Sequence, residues 1–249
     1  MTPEERYRFD IQGFLVRRNV LSPGDVEALN VAVDVLGVPE PGDDIMSQRF
    51  GGHLASARRF RDLLDHDGIF DIILELCGHS ARLDHAYGII MRTGSNGLAL
   101  HGGGKPFDPA QYYTVDGGNI RTGLVAVQWA LVDHPAGRGG FLCVPCSHKA
   151  NFPTPARVAT GMAIEIAMQA GDVVVFTEAL THGTAPWQGL RQRRTLLYKY
   201  SPGNSAWSHE VWPAELVESM SERRVPDDLL NLTVQRQEPI VGLHVDALV

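Results

Sequence analysis

Long apolar runs, an excess of basic charge and a dense set of cysteines are all missing from this sequence of 249 residues. No run reaches eighteen apolar residues, so we expect no membrane-spanning helix and no membrane partner. The formal net charge of −7 argues against the basic surface that nucleic acids require. The charged stretch at residues 1–10 lacks the apolar core of a signal peptide, which favours a cytoplasmic location.

The cysteine content is low, with only Cys77, Cys143 and Cys146. Three cysteines fit a reducing compartment and do not form a disulfide framework. The Cys143 and Cys146 pair has C-x-x-C spacing, but it follows a strand-like stretch, whereas a redox pair is expected at a helix N-terminus. A single pair is also weak evidence for zinc, so we interpret both as packing residues.

What the chain does contain is the composition of an ordinary globular protein, with 44% hydrophobic and 20% charged residues. Ser22 and Pro23 mark the N-terminus of a helix, and further helices are predicted over residues 3–9, 54–65 and 68–77. After residue 83, short apolar stretches separated by Gly, Pro and Asp predict strands over residues 85–92, 122–132, 140–145, 163–168, 172–176 and 194–200. This rhythm predicts a mainly β fold with helical decorations and a jelly-roll core.

The simplest organisation is a single domain over residues 1–249. It would consist of a helix-rich part (1–82), the jelly-roll core (about 83–201) and a C-terminal extension (202–249) with helical pieces around 211–220 and 227–230. The glycine-rich segment 94–118 is predicted to be a long connection, and long ordered connections are often functional.

Two histidines occupy positions that suit a metal site. His101 begins the glycine-rich loop, and His182 follows the strand predicted over 172–176. Ferrous iron in oxygenases binds neutral imidazoles together with an anionic ligand, and leaves positions open for substrate acid and oxygen. A jelly roll can supply such ligands from strand ends that are distant in sequence.

The stretch from Gly139 to Lys149, followed by residues 171–176 and then His182, resembles the phytanoyl-CoA dioxygenase family of iron- and 2-oxoglutarate-dependent enzymes. The opening residues 10–16 are also similar to that family's N-terminal strand, and the resemblance covers most of residues 9–201. It implies a double-stranded β-helix (cupin-like) core that uses Fe(II), 2-oxoglutarate and O2 on a small-molecule substrate. His101 and His182 would be the iron ligands. Cys146 stands where the family usually has glycine.

The same resemblance implies a cosubstrate site. Arg193 would pair with the distal carboxylate of 2-oxoglutarate, a role that suits the bidentate fork of a guanidinium. Thr184 would donate its hydroxyl to the same carboxylate, and Trp129 matches a family tryptophan near the cosubstrate.

The chain departs from the family pattern at Gly103, where a His-x-Asp or His-x-Glu motif would supply the third ligand. This His-x-Gly arrangement resembles that of the iron/2-oxoglutarate halogenases. Chloride would fill the vacated position with the same charge as a carboxylate, and the amides of residues 102–104 would form an anion-binding nest. Gly103 is therefore a catalytic position in this interpretation, and the predicted function is chlorination of an aliphatic carbon on a small natural-product precursor.

Two alternatives stay open. A hydroxylase with an atypical third ligand would need another carboxylate, either Asp108 from the flexible loop or Glu178. Four residues along an extended strand span about 13 Å, which would keep Glu178 away from a metal bound at His182 unless the chain bends sharply. A non-catalytic metal-binding jelly-roll protein is the other alternative, although the presence of Arg193 and Thr184 argues against it.

Overall fold

A computed structural model describes residues 1–38, 45–102, 108–152, 155–208 and residue 212. Its strands are β1 (Phe14–Arg17), β2 (Ser47–Phe50), β3 (Arg82–Met91), β4 (Leu98–His101), β5 (Tyr113–Asp116), β6 (Asn119–Thr122), β7 (Val125–Ala130), β8 (Phe141–Cys143), β9 (Ile164–Ile166), β10 (Val173–Thr177), β11 (His182–Thr184) and β12 (Arg193–Ser201). Its helices are α1 (Pro3–Gln12), α2 (Pro23–Val35), α3 (His53–Ser56), α4 (Arg58–Arg61), α5 (Phe70–Cys77) and α6 (Ala156–Met162), with a 3-10 turn at Ser147–Lys149.

The strands form two main antiparallel sheets and a hairpin. The six-stranded sheet has the order β1-β10-β7-β12-β3-β2, the four-stranded sheet has the order β4-β11-β8-β9, and β5 pairs with β6. Residues from both main sheets share one apolar cluster, which includes Phe14, Ala126, Phe141 and Phe176. The fold is therefore a double-stranded β-helix whose two sheets pack face to face.

A second and larger apolar cluster joins the other face of the six-stranded sheet to the helices. Strand β7 contributes to both clusters because its side chains alternate: Val127 and Trp129 belong to the helical side, and Ala126 and Ala130 to the side between the sheets. All six residues of this strand are buried. The six-stranded sheet is thus covered on both faces, and polar groups on its inner face lie between the sheets.

Capping residues explain where the first two helices begin. The side chains of Thr2 and Ser22 each accept a hydrogen bond from the backbone N–H three residues later, and a proline follows each of them. Helix α1 ends at Gly13, whose φ of 82° lies in the left-handed region that glycine adopts without strain. The short turn brings β1 directly onto β10.

The predicted strands correspond to β3, β7, β8, β9, β10 and β12. The helix expected over 54–65 is wrong in detail, since extended backbone at Ala57 divides the segment into α3 and α4. The segment 94–118 is also more than a connection, because it contains β4 and β5. The helical pieces predicted at 211–220 and 227–230 lie outside the described residues. No helix in the described ranges is long and apolar enough to cross a membrane.

Candidate functional site

The two predicted metal ligands face each other across a pair of neighbouring strands. His101 ends β4 and His182 begins β11, and the two residues are direct partners in the antiparallel register. Their ring centroids are 4.4 Å apart, at an interplanar angle of 54°. Side chains of directly paired residues point to the same face of a sheet, so both rings can approach one ion.

A backbone carbonyl orients each ring. Nδ1 of His101 lies 2.9 Å from the carbonyl oxygen of Ala99, and Nδ1 of His182 lies 2.7 Å from that of Leu180. Since a carbonyl only accepts hydrogen bonds, each Nδ1 carries the proton in the neutral ring and Nε2 keeps its lone pair. Metal-bound histidines are generally oriented by such a hydrogen bond from the second nitrogen.

The surroundings of the two histidines differ. His182 is buried, and burial lowers its pKa to about 4, so that the ring is a neutral potential ligand at ordinary pH. Phe176 contacts it with a centroid distance of 4.7 Å. His101 is exposed at a groove that Leu98, Leu142 and Thr184 also line. His101 is therefore the solvent-accessible member of the pair, and the groove reaches its side of the two rings without His182 in its lining.

Glu178 is an acidic side chain that lies close to His182. Its Oε2 atom lies 3.9 Å from Nε2 of His182, and its Oε1 atom lies 2.8 Å from Nζ of Lys199. Burial opposes ionisation of this carboxyl group, but the charges of Lys199 and the two histidines outweigh that effect and lower the pKa of Glu178. Lys199 is itself buried, and the carboxylate raises its pKa against the effect of burial. The two residues form a charged pair between the sheets.

The position of Glu178 corrects the estimate of about 13 Å from an extended chain. Strand β10 ends at Thr177, whose carbonyl accepts from the N–H of Leu180 and whose hydroxyl accepts from the N–H of Ala179. These bonds close a tight turn before β11 begins at His182. Gly102 packs against the same turn, because a Cβ atom there would lie 2.9 Å from the carbonyl oxygens of Glu178 and Leu180. The end of β4, the turn and His182 are therefore in contact.

Arg193 is a buried cation, and most of its side-chain nitrogens have no hydrogen-bond partner among the described residues. It is 1% exposed, and Nη1 lies 3.1 Å from the sulfur of Met91. Among the described residues, Nε and Nη2 have no hydrogen-bond partner. Burial lowers the pKa of Arg193 to about 10, so the guanidinium is still charged at neutral pH. A buried charge with free donors is costly unless a ligand anion pairs with it.

Other unpaired polar groups lie near Arg193. Thr195 shares its face of β12, and Gln128 on the neighbouring β7 shares that face by register. The Thr195 hydroxyl and Gln128 Nε2 are buried without a hydrogen-bond partner in the described part of the chain. Both ring nitrogens of His134 are also unpaired there, and burial, with a smaller effect of Arg193, holds the pKa of this ring well below its usual value.

Sequence reasoning assigned no role in the site to Thr195, Gln128 or His134. Alternation along β7 and β12 is the signal that identifies Thr195 and Gln128, because both share the inner face with Arg193. Nothing in the spacing of His134 indicates its place.

The two other cosubstrate residues expected from sequence lie elsewhere. Thr184 is on β11 in the four-stranded sheet and lines the groove beside His101, so its contact with a carboxylate stays a prediction. Trp129 belongs to the apolar cluster on the helical side, where its ring packs against His66 with a centroid distance of 5.5 Å. The prediction that Trp129 contacts the cosubstrate does not agree with this placement, because β7 points Gln128 toward the inter-sheet space instead.

Among the described residues, no third metal ligand is already in place beside the two histidines. Gly103 lies outside the described residues. The carboxylate of Asp108 accepts from the N–H of Ala110 and caps a local turn, so its role as a replacement ligand gains no support. The described part of the chain contains no group of three or more His, Cys, Asp or Glu side chains placed to hold a metal ion.

Comparison with known proteins gives a family match and similar solved structures. The family model for phytanoyl-CoA dioxygenase (PhyH) matches residues 9–195. The crystal structure of HygX from Streptomyces hygroscopicus with nickel and 2-oxoglutarate bound is similar, with 27% identity and a TM-score of 0.75. The similarity covers 87% of this chain and 94% of HygX. Further HygX structures contain iron, or nickel with 2-oxoglutarate and hygromycin B.

A more distant structure has the same fold. SnoN, a non-heme alpha ketoglutarate dependent epimerase from nogalamycin biosynthesis, is 20% identical with a TM-score of 0.62. The similarity covers 80% of this chain and 82% of SnoN. Among curated proteins, none matches the sequence.

Proposed function

Because the chain belongs to the phytanoyl-CoA dioxygenase family of non-haem iron- and 2-oxoglutarate-dependent enzymes, we propose that it hydroxylates an aliphatic carbon of a small molecule. The facing pair of His101 and His182, with both Nδ1 atoms held by carbonyls, supports the iron centre. The observation that carries hydroxylation in particular is the carboxylate of Glu178, 3.9 Å from Nε2 of His182. The HygX structure that contains hygromycin B supports a small-molecule substrate.

Each protein group has a task in this proposal. Nε2 of His101 and Nε2 of His182 would hold the iron, which with bound 2-oxoglutarate supplies the activation of O2 and the attack on a C–H bond. Arg193 would bind the distal carboxylate of 2-oxoglutarate through its unpaired N–H groups, with the Thr195 hydroxyl as a second donor. The buried rings of Phe141 and Phe176 exclude water from the His182 side.

The charge near His182 favours hydroxylation over chlorination. A carboxylate oxygen of Glu178 already lies 3.9 Å from Nε2 of His182. A chloride ion bound at the same centre would be repelled by this anion in a site with little water. Lys199 offsets part of the repulsion, since it is paired with the other carboxylate oxygen.

Chlorination is the second candidate, and the glycine at position 103 favours it. The family's usual third ligand is missing there, and the described residues contain no preformed group of three ligands. Chloride would then complete the centre, and Gly103 would mark its position. An oxygenase and a halogenase would share the histidine pair and Arg193, so these residues do not separate the two functions.

Anaerobic addition of Fe(II) and 2-oxoglutarate, with and without chloride, separates the candidates. We expect a visible charge-transfer band that chloride does not shift. A chloride-dependent shift, together with a chlorinated product that Gly103→Asp abolishes, would establish chlorination instead. Absence of any band would contradict both functions and favour a non-catalytic protein.

The histidine pair has its own test. His101→Gln and His182→Gln should each weaken Fe(II) or Mn(II) binding at least tenfold, and His79→Gln is the matched control because His79 is exposed. Equal metal affinity in the control and the site variants would show that the facing rings do not bind the ion.

A further inference from the structure

We propose that Glu178 supplies the protein carboxylate of the metal centre, in place of the acidic residue that the family has two positions after His101. This inference rests on the proposed function, because it assigns a third ligand to the same iron. It follows from the turn between β10 and β11, which brings a buried carboxylate beside the histidine pair. Residue 178 precedes the second histidine, whereas the family's acidic ligand follows the first.

The separation of the two donor atoms fits one shared ion. Metal bonds to histidine nitrogen and carboxylate oxygen are about 2.1 Å long, so two ligands of one ion lie at most about 4.2 Å apart. Oε2 of Glu178 and Nε2 of His182 are 3.9 Å apart. Neighbouring corners of an octahedron would need about 3 Å, which a movement of about 1 Å by the flexible glutamate side chain provides. This movement explains why the three groups do not form a ready-made cluster.

The two carboxylate oxygens have different surroundings. Oε1 is held by Lys199 at 2.8 Å, and Oε2 is the oxygen that faces His182. A carboxylate that binds a metal through one oxygen commonly has its other oxygen oriented by a neighbouring polar group, and here the ammonium of Lys199 does so in an ion pair. Lys199 is therefore a positioning residue for Glu178.

The glycine after His101 is part of the same arrangement. Gly102 has a φ of 78°, and a Cβ atom there would lie 2.9 Å from the carbonyl oxygen of Glu178. Only a residue without a side chain allows the end of β4 to approach the turn so closely. The structure thus brings residue 178, and not only His182, against the strand that carries His101.

Metal titrations of three variants test the inference. Mn(II) binding, followed by electron paramagnetic resonance, should weaken at least tenfold in Glu178→Gln. In Lys199→Met the loss of affinity should be smaller than in Glu178→Gln, because the carboxylate is still present although the cation that orients it is gone. If the pair were only structural, both variants would disturb the site alike, so an equal loss of affinity would overturn the proposal. Unchanged affinity in Glu178→Gln would also overturn it.

Breaking a buried ion pair can unfold a protein, so the double variant Glu178→Gln/Lys199→Met serves as a safeguard. It leaves no unpaired charge, and thermal unfolding reports whether the fold is intact. The double variant should show the same loss of Mn(II) affinity as Glu178→Gln, and wild-type affinity in a folded double variant would contradict the proposal.

A chloride titration of the Fe(II) and 2-oxoglutarate complex gives a second readout. Chloride should not shift the charge-transfer band of the wild-type protein. It should shift the band of Glu178→Gln, because the coordination position that the carboxylate would fill is open in this variant. If the wild-type protein gives a band that chloride shifts, the position is already free and Glu178 is not a ligand. If wild type binds Mn(II) but gives no band with 2-oxoglutarate, the proposed function fails while the test of Glu178 by metal affinity still stands.

Discussion

Nη1 of Arg193 lies 3.1 Å from the sulfur of Met91, its direct partner across β12 and β3. A thioether is a weak hydrogen-bond acceptor, so this contact does not satisfy a guanidinium. The buried charge is therefore poised for an anion that the protein chain itself does not supply among its described residues. The distal carboxylate of 2-oxoglutarate has the shape and charge that this fork pairs with.

Arg193→Met should abolish most binding of 2-oxoglutarate, with a dissociation constant raised at least tenfold, because the charge-assisted pair is lost. The thermal midpoint should not fall, since the change removes a buried charge with unmade hydrogen bonds. Titration of the charge-transfer band at fixed Fe(II) measures the affinity. Arg194→Met is the matched control, because Arg194 pairs with Asp34 on the other face of β12. Equal losses in the two variants would contradict the assignment.

Gln128 and Trp129 provide a second test, because they are neighbours in sequence on opposite faces of β7. Gln128→Leu should change the KM for 2-oxoglutarate or the affinity for substrate, since it removes an amide between the sheets. Trp129→Phe should lower the free energy of unfolding by about 1–3 kcal/mol and leave the cosubstrate affinity unchanged, because it shrinks a core side chain on the helical side. Urea unfolding and the band titration together measure both effects. The reverse pattern would mean that the face assignment is wrong.

Cys146 holds a backbone conformation that favours glycine. Its φ is 68°, in the left-handed region, at the position where the family usually has glycine. Cys146→Gly should therefore raise the free energy of unfolding by about 0.5–1 kcal/mol, since relief of the strain exceeds the entropy that glycine adds to the unfolded chain. Cys146→Ala keeps the Cβ atom and should give no gain. Denaturant midpoints of the three proteins decide the question, and an equal gain in both variants would point to the thiol instead.

His53 makes the fold sensitive to acid. Burial among Phe50, Phe60 and Tyr198 lowers its pKa to about 4, below the ordinary value of 6.5. Between these values the unfolded chain binds a proton that the folded chain does not, so stability falls as the pH falls. From pH 7 to pH 5, wild type should lose about 2 kcal/mol more than His53→Phe. Urea unfolding at the two pH values measures this difference, and parallel losses would show that His53 is not the sensitive group.

Some of the site can be predicted from the chain alone. The resemblance of several weak motifs, in the same order, to the phytanoyl-CoA dioxygenase family singles out His101, His182 and Arg193, and their roles stay predictions. The direct pairing of His101 with His182 cannot be predicted, since register depends on which strands become neighbours.

Trp129 and Glu178 show why the remainder could not be predicted. All of β7 is buried, so its apolar pattern does not distinguish the face between the sheets from the face under the helices. The turn before His182 contains neither Gly nor Pro, the usual turn signals. The hydroxyl and the carbonyl of Thr177 close the turn instead. A threonine at the end of an apolar run is too weak a turn signal to predict that the strand ends there.

Strand β4 lies at the border of its sheet, and β11 is its single hydrogen-bonded neighbour among the strands that the structure describes. An ion that binds both His101 and His182 cross-links these two strands, much as a disulfide staples distant segments of a chain. Removal of the ion by a chelator would then weaken the attachment of β4 to the sheet next to the reactive centre. Tighter metal binding would protect β4 from proteases.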